Sequence, residues 1–286
     1  MRYRGYVFIS LAAVCWGMIG PVARLAFAEG VGPMEVAFWR AGLAWLFFGT
    51  QAVAQRQLRM AVRDLPALLA FAVTGVALFY GAYQLAVNRG GAALASVLLY
   101  TAPAWVVVLA RMIWREPVGR RKLLCLGMTL SGVALISSGG GSLDGSVSLS
   151  AVGFGLTAGF CYAMYYIFGK HFSGLYPAAT LFFYMLPIGA ALLFPWVDFA
   201  HKSPAAWAAL AVLALLCTYA AYHFYYLGLR FLEPGRASIT ATLEPVVAAA
   251  VAFFWWQESF STAGYAGSAL ILAAVLLMIL DRPEKG

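Results

Sequence analysis

Ten long apolar runs constrain this chain more than any other feature of its sequence. Each run has about the 20 residues that a helix needs to cross the hydrocarbon core of a bilayer. The strands of a membrane barrel would instead alternate apolar and polar residues. Only 10% of the residues are charged, against roughly 25% in soluble domains, so a water-soluble globule is excluded. We therefore predict an all-α membrane protein. Its ten predicted transmembrane helices cover residues 6–26, 34–52, 65–86, 92–112, 122–138, 151–170, 177–197, 204–227, 236–255 and 262–280.

Lysine and arginine are distributed unevenly among the connections between these runs. With the N-terminus in the cytoplasm, 15 of the 19 basic residues lie on the cytoplasmic side, and only Arg24, Arg89 and Lys202 lie outside. Because basic residues favour cytoplasmic loops, this pattern predicts a multi-pass protein of the inner (plasma) membrane with both termini cytoplasmic. The positive charge thus indicates orientation in the lipid bilayer, and we expect no nucleic-acid partner.

An internal repeat divides the chain into two units, which we place at 1–143 and 144–286. At an offset of 142 residues, Pro103 aligns with Pro245 and Glu116 with Glu258, and 9 of the 39 positions from 79 to 117 are identical. Each unit holds five predicted spans, and an odd number inverts the second unit in the membrane. Inverted repeats are typical of secondary transporters, whose substrate site lies near the bilayer midplane between the repeats.

Paired sequence runs in the two units resemble the signature of EamA-type carriers, within the drug/metabolite transporter superfamily. The runs are Leu99-Tyr100-Thr101-Ala102-Pro103 with Trp114-Arg115-Glu116-Pro117, Thr242-Leu243-Glu244-Pro245 with Gln257-Glu258-Ser259, and the shorter Trp16-Gly17 and Phe38-Trp39-Arg40. The resemblance implies two inverted five-helix EamA repeats around a central cavity, lined by the first, third and fourth spans of each unit. It further implies export of amino acids, related metabolites, nucleosides or drugs, by a monomer or a homodimer.

Two ionisable residues inside the predicted spans are candidates for the transport site. A carboxylate within the membrane must pair, bind a cation or be protonated, so Glu244 could bind a substrate amine or a proton. Alternatively, Glu244 bonds backbone amides near Pro245. The ordinary pKa of histidine lies near physiological pH, so His223 suits proton coupling or substrate binding, although a single histidine can also be a packing residue.

Tyrosines recur at helical spacing in the third and eighth spans, which favours an aromatic cavity over an interfacial belt. Such a cavity with one acid would suit zwitterionic or amine-bearing molecules. The predicted substrate-binding residues are Trp16, Tyr80, Tyr83, Gln84, Tyr100, Tyr166, Tyr222, His223, Tyr226 and Glu244.

Other polar and helix-breaking residues receive mechanical or structural interpretations. Pro103 and Pro245 occupy equivalent mid-span positions and are predicted hinges. Arg40 is interpreted as structural, paired with an acid or a helix C-terminus, and Glu116 is expected to pair with nearby basic residues.

The sequence predicts a secondary transporter that exports small organic metabolites by alternating access, with amino acids or related amine-bearing compounds as substrates. Transport would be proton-coupled or facilitative. The alternative is a non-transporting membrane protein, namely an enzyme, an assembly partner or a lipid scramblase. No phosphate-binding glycine-rich loop, metal-ligand cluster or catalytic triad is evident, so we predict no cofactor, no metal and no enzymatic activity.

Overall fold

A computed structural model of the protein describes residues 2–138, 148–257 and 261–280, and within these ranges the chain is helical, with no strand. The helices of the first half are α1 (Arg2–Gly17), α2 (Ile19–Ala28), α3 (Pro33–Ala54), α4 (Leu65–Ala72), α5 (Phe79–Leu99), α6 (Ala102–Trp114) and α7 (Arg120–Ser138). The helices of the second half are α8 (Leu149–Ser173), α9 (Ala178–Leu193), α10 (Pro204–Ala214), α11 (Ala221–Phe231), α12 (Pro234–Ala241), α13 (Leu243–Trp256) and α14 (Thr262–Leu280).

Eight helical segments in the described ranges are long and apolar enough to cross a membrane. They are Tyr3–Ala28, Val62–Val87, Leu94–Trp114, Leu149–Ser173, Ala178–Trp196, Pro204–Phe231, Pro234–Trp255 and Thr262–Leu280. The protein is thus a helical membrane protein. The two further predicted spans, 34–52 and 122–138, coincide with α3 and α7, whose crossing of the membrane stays a prediction.

The backbone repeats unusual features at the same offset of 142 residues that the sequence shows. A π-helical turn at Val73–Leu78 joins α4 to α5, and an equivalent turn at Leu215–Ala220 joins α10 to α11. Arg115 and Gln257 both end their helices in the left-handed region, with φ values of 56° and 55°. Since such π turns and left-handed caps are uncommon, their recurrence indicates that both halves follow one backbone pattern.

The connection predicted between the third and fourth spans differs from its equivalent in the second half. The backbone stays helical from Phe79 to Leu99, whereas α11 ends at Phe231 and α12 begins at Pro234. Proline disfavours helix in the residue before it, and the first-half position equivalent to Pro234 is Ala92, so no proline interrupts α5 there.

The core lies between the two halves of the chain. The helix pair α5 and α8 and the corresponding pair α1 and α11 pack across the halves, as do α7 with α14 and α3 with α9. Buried aromatic side chains fill much of this interface, including Phe71, Phe182 and Tyr225. The residues that face this core are the ones that can form a site between the repeats.

Candidate substrate site

Glu244 lies in the first turn of α13 and is surrounded by tyrosines. The hydroxyl of Tyr162 donates a hydrogen bond to Glu244 Oε2 over 3.1 Å, and the Tyr100 hydroxyl lies beside the same carboxylate. Tyr83 and Tyr166 are close enough to interact with it electrostatically. The acid is therefore held by hydroxyl groups and not by a neighbouring cation.

The positions of Tyr83 and Tyr100 show that α5 does not run straight between them. In a straight helix these residues would lie about 25 Å apart along the axis and on different faces. Both nevertheless approach Glu244. The chain must bend within α5, and this bend brings two predicted site residues to the same carboxylate.

A second charge lies beside this group of tyrosines. Arg40, in α3, donates a hydrogen bond from Nε to the Thr218 hydroxyl over 2.8 Å. The Tyr222 hydroxyl is its other hydrogen-bonding neighbour, and Tyr80 and Tyr165 lie within electrostatic range. The sequence had predicted an acid or a helix C-terminus as the partner of Arg40. That prediction was wrong, because the π-helical turn presents a threonine hydroxyl instead.

Aromatic contacts join the surroundings of Arg40 and Glu244 into one unit, which we call the central site. Tyr162 and Tyr165 lie one turn apart on α8 with ring centroids 6.5 Å apart, and Phe79 packs on both rings. The central site consists of Arg40, Tyr80, Tyr83, Tyr100, Tyr162, Tyr165, Tyr166, Tyr222 and Glu244. It draws side chains from both repeats, as a site between repeats requires.

Three other predicted residues lie around the central site or apart from it. Trp16 packs edge-on against Tyr222 at 6.1 Å between ring centroids, and so supports the site from α1. Tyr226 is buried and packs against Phe182. The side chain of Gln84 is outside the part of the chain that the structure describes.

His223 occupies a different environment from the one around Glu244. Its ring stacks on Phe48 at 5.2 Å, and Nδ1 lies 3.0 Å from the Tyr219 carbonyl oxygen. Tyr219 in turn donates a hydrogen bond to Gln51. The structure thus places His223 against α3, beside a pocket of about 340 Å³ that Gln51 and Tyr219 help to line.

Pro103 and Pro245 lie next to equivalent breaks between consecutive helices. Residues 100 and 101 separate α5 from α6, and Thr242 separates α12 from α13. The space beside the first break is lined by Pro103, Tyr162 and Thr242, and it is too small to hold a water molecule. This space beside Pro103 is therefore closed in the structure.

A buried group of charged side chains lies where α6, α7 and α12 meet, at the end of the helix bundle at which α1 begins. Lys122 Nζ lies 3.0 Å from Glu233 Oε2 and 3.5 Å from Glu116 Oε2, and Arg236 Nε lies 3.6 Å from Glu233. We call Glu116, Lys122, Glu233 and Arg236 the end cluster. Burial raises the pKa of Glu116, although the charge of Lys122 opposes this shift. As the sequence predicts, Glu116 pairs with a nearby basic residue.

At the opposite end of the bundle, one ion pair links the halves. Lys202 bonds the buried carboxylate of Glu35, which also accepts hydrogen bonds from Trp39 Nε1 at 3.2 Å and from the Ala200 amide at 3.1 Å. The Lys202 ammonium lies over the Trp207 ring at 5.7 Å. Charges at both ends are thus paired, in contrast to those of the central site.

Comparison with known families decides the identity at the family level. The EamA-like transporter family matches residues 3–138 and again residues 149–280. The chain belongs to this family. An uncharacterized transporter of Archaeoglobus fulgidus is 30% identical over 97% of this chain and 96% of its own length. The uncharacterized inner membrane transporter YicL of Salmonella typhimurium is 23% identical over 99% of this chain and 97% of its own.

One curated relative carries a more specific name. A probable terminal-alkyne amino-acid exporter of Streptantibioticus cattleyicolor is 28% identical over 94% of this chain and 91% of its own. A crystal structure with 16% sequence identity superposes with a TM-score of 0.83 over 97% of this chain and 96% of that chain, which supports the fold. Membership of the family implies a small-molecule substrate, and the relatives are named as transporters, not enzymes, as the sequence predicts.

The predicted substrate-binding residues include Tyr166 but leave out Tyr162 and Tyr165. All three share one face of α8 at the same helical spacing as Tyr80 and Tyr83, so the sequence does contain this signal. The contact between Arg40 and Thr218 had no such signal, because it joins residues 178 positions apart.

Proposed function

We propose that this EamA-like transporter exports small amine-bearing metabolites, with amino acids as the first candidates. The environment of Glu244 carries this proposal: a carboxylate inside a membrane helix that is held by tyrosine hydroxyls and lies between the two repeats. An ammonium group could form an ion pair with Glu244 and contact the surrounding aromatic rings. The relative named as a probable amino-acid exporter supports the same substrate class.

The transport cycle that we propose is alternating access between two inverted five-helix repeats, 1–143 and 144–286, with ten transmembrane helices and a central cavity. The helix breaks next to Pro103 and Pro245 would act as hinges. The space beside Pro103 is closed in this structure, so opening it during the cycle requires the helices around it to move apart. The distribution of basic residues supports cytoplasmic termini, and monomer and homodimer are both compatible with the proposal.

Counterflow in liposomes tests the proposal. Purified protein is reconstituted in vesicles loaded with an unlabelled neutral, acidic or basic amino acid, and entry of the labelled compound is followed. We expect exchange for at least one class, and Glu244→Gln should reduce this exchange strongly. If no amino acid or related amine in the panel exchanges, the proposed function is wrong.

The driving force is tested in the same vesicles with an imposed pH gradient. Proton coupling predicts that the gradient accelerates net transport, whereas a facilitative carrier would be insensitive to it. His223→Ala separates the two roles suggested for this residue. Loss of the response to pH with retained exchange would assign coupling to His223, and loss of neither would make it a packing residue against Phe48.

A further inference from the structure

Arg40 is a cation inside the protein that forms no ion pair with an acid. Nε is bonded to the Thr218 hydroxyl at 2.8 Å, and Tyr222 contributes the other neighbouring oxygen. Across the described ranges, the ion pairs of this protein join other residues, and Arg40 and Glu244 are not within 4 Å of each other. Burying an arginine without a carboxylate is costly, so its retention calls for a ligand or a structural reason.

The two partners of Arg40 do not use all of its N–H donors. A guanidinium carries five N–H donors in a planar fork, of which the bond to Thr218 uses the one on Nε and the Tyr222 hydroxyl accepts from another. Thr218 is itself fixed, since its hydroxyl donates to the Leu213 carbonyl oxygen over 3.0 Å within the π-helical turn. The threonine therefore orients the guanidinium. A planar fork of this kind matches both oxygens of a carboxylate.

Arg40 also keeps exposed surface although it lies well inside α3. Arg40, Tyr80, Tyr83 and Glu244 are all half-buried, whereas Tyr165, Tyr166 and Tyr222 behind them are buried. The cation and the anion thus both belong to the part of the central site that is less tightly packed than its buried tyrosines.

The opposite charges of Arg40 and Glu244 are separated by two neighbouring tyrosine rings of α8. Tyr165 lies beside Arg40, Tyr162 donates its hydroxyl to Glu244, and their ring centroids are 6.5 Å apart on one face of α8. The charges interact electrostatically without closing into an ion pair. An ammonium bound at Glu244 and a carboxylate bound at Arg40 would give each charged side chain a partner of opposite charge. A molecule that carries an ammonium and a carboxylate within a few bonds of each other would reach both side chains.

We propose that Arg40 binds the carboxylate of a zwitterionic substrate whose ammonium group is bound by Glu244, which makes Arg40 a specificity-determining residue. The inference rests on the proposed function, because it assigns a second binding group to the same site. It excludes plain amines as good substrates, and it requires an α-amino acid or a compound with the same close pair of charges.

Matched compounds test the inference in the reconstituted system. L-phenylalanine, L-leucine and L-threonine are each compared with the corresponding amide, which lacks the carboxylate, and with the deaminated acid, which lacks the ammonium. For the wild type we expect the amino acid to compete at least about tenfold better than either derivative, the usual gain from a charge-assisted pair. Arg40→Gln should bring the ratio of amino acid to amide to near one. Glu244→Gln should do the same for the ratio of amino acid to deaminated acid.

Two further variants keep the test decisive if Arg40→Gln does not fold. Arg40→Lys retains the charge without the fork, and Thr218→Val removes the hydroxyl that orients the guanidinium. Each should reduce the preference for the amino acid over the amide by several-fold. Arg59→Gln changes an exposed arginine outside the central site and should leave the ratio unchanged.

The outcomes separate failure of the inference from failure of the proposed function. If the wild type transports amides as well as amino acids, or if Arg40 variants lower both equally, Arg40 is a tie between α3 and the π-helical turn and the inference is wrong while the function stands. If the wild type exchanges none of the compounds, the function and the inference that rests on it both fall.

Discussion

The central site and the end cluster both place charged residues inside the protein, but they treat charge in opposite ways. In the end cluster, Lys122 joins Glu116 and Glu233 at distances of 3.5 and 3.0 Å. In the central site, Arg40 and Glu244 each bond hydroxyl groups and stay apart. Paired charges satisfy one another and need nothing further. Charges that are held apart by neutral partners are suited to a ligand that brings its own charges.

Burial along one stretch of chain follows the same division. Every residue from Pro234 to Thr242, next to the end cluster, is buried, whereas those from Leu243 to Ala249, around Glu244, are half-buried. The change occurs at the break between α12 and α13. The stretch next to the end cluster is therefore fully packed, and the stretch around Glu244 is not. The comparison implies that variants in the end cluster should affect stability, and variants in the central site should affect binding.

The largest effect should come from Glu244→Gln. Losing a charged hydrogen-bonding partner of the substrate should reduce counterflow by about 100-fold. The fold should persist, since no ion pair of the described chain involves this carboxylate; retention volume and thermal unfolding in detergent check this. Glu29→Gln, which changes an exposed acid, is the matched control. An equal loss of counterflow in Glu244→Gln and Glu29→Gln would contradict the distinction between the central site and the end cluster.

Lys122→Met should lower the stability of the protein and leave substrate binding unchanged. It leaves Glu116 without its cation and Glu233 with Arg236 alone, which should lower the free energy of unfolding by about 2–3 kcal/mol, less than for a fully buried pair because Glu233 is partly exposed. Thermal unfolding in detergent measures the loss. Unchanged affinity for the transported amino acid would complete the contrast, and a large loss of affinity with unchanged stability would contradict it.

Tyr162→Phe sharpens the account of how Glu244 is held. The variant removes the hydroxyl that donates to Oε2 and keeps the aromatic ring. We expect about a 3- to 10-fold loss of substrate affinity, the net value of one typical hydrogen bond. Competition counterflow gives the affinity. Tyr184→Phe, which removes a hydroxyl bonded to the Leu58 carbonyl outside the central site, should leave the affinity unchanged.

The smallest effect should be a dependence of stability on pH through Glu116. Its pKa in the folded protein is raised above the ordinary 4.5, so the folded state binds the proton more readily than the unfolded state. The contribution of Glu116 is therefore most favourable at low pH and is lost as the pH rises from 4.5 through the raised pKa. Thermal unfolding from pH 4.5 to 8 should show the wild type losing stability relative to Glu116→Gln. Exposed Asp198→Asn is the control, and a gain with rising pH would contradict the assignment.

The sequence predicted the helices and the repeat well because both depend on patterns of neighbouring residues along the chain. Apolar length specifies a span, and the offset of 142 residues that aligns Pro103 with Pro245 also aligns the π-helical turns. The sequence also predicted the two spans on either side of Asn88, although the helical backbone of α5 continues from one to the other.

The central site was predicted in part. Glu244 with Tyr83, Tyr100 and Tyr166 could be chosen because charged residues are rare in the spans and the tyrosines follow a helical period. The partner of Arg40 could not be predicted, since Thr218 belongs to the other half of the chain and contacts Arg40 only through tertiary packing. His223 was predicted to belong to the same site as Glu244 because it is a titratable residue among tyrosines. In the structure it stacks on Phe48, away from the Glu244 carboxylate.

Stabilisation by ligand tests the central claim most directly, because a ligand that binds the folded state raises its melting temperature. The melting temperatures of the wild type, Glu244→Gln and Lys122→Met are measured with and without the amino acid that exchanges in counterflow. The account predicts that the ligand stabilises the wild type and Lys122→Met, although the latter melts lower, and leaves Glu244→Gln unchanged. Equal stabilisation of Glu244→Gln by the ligand would contradict it.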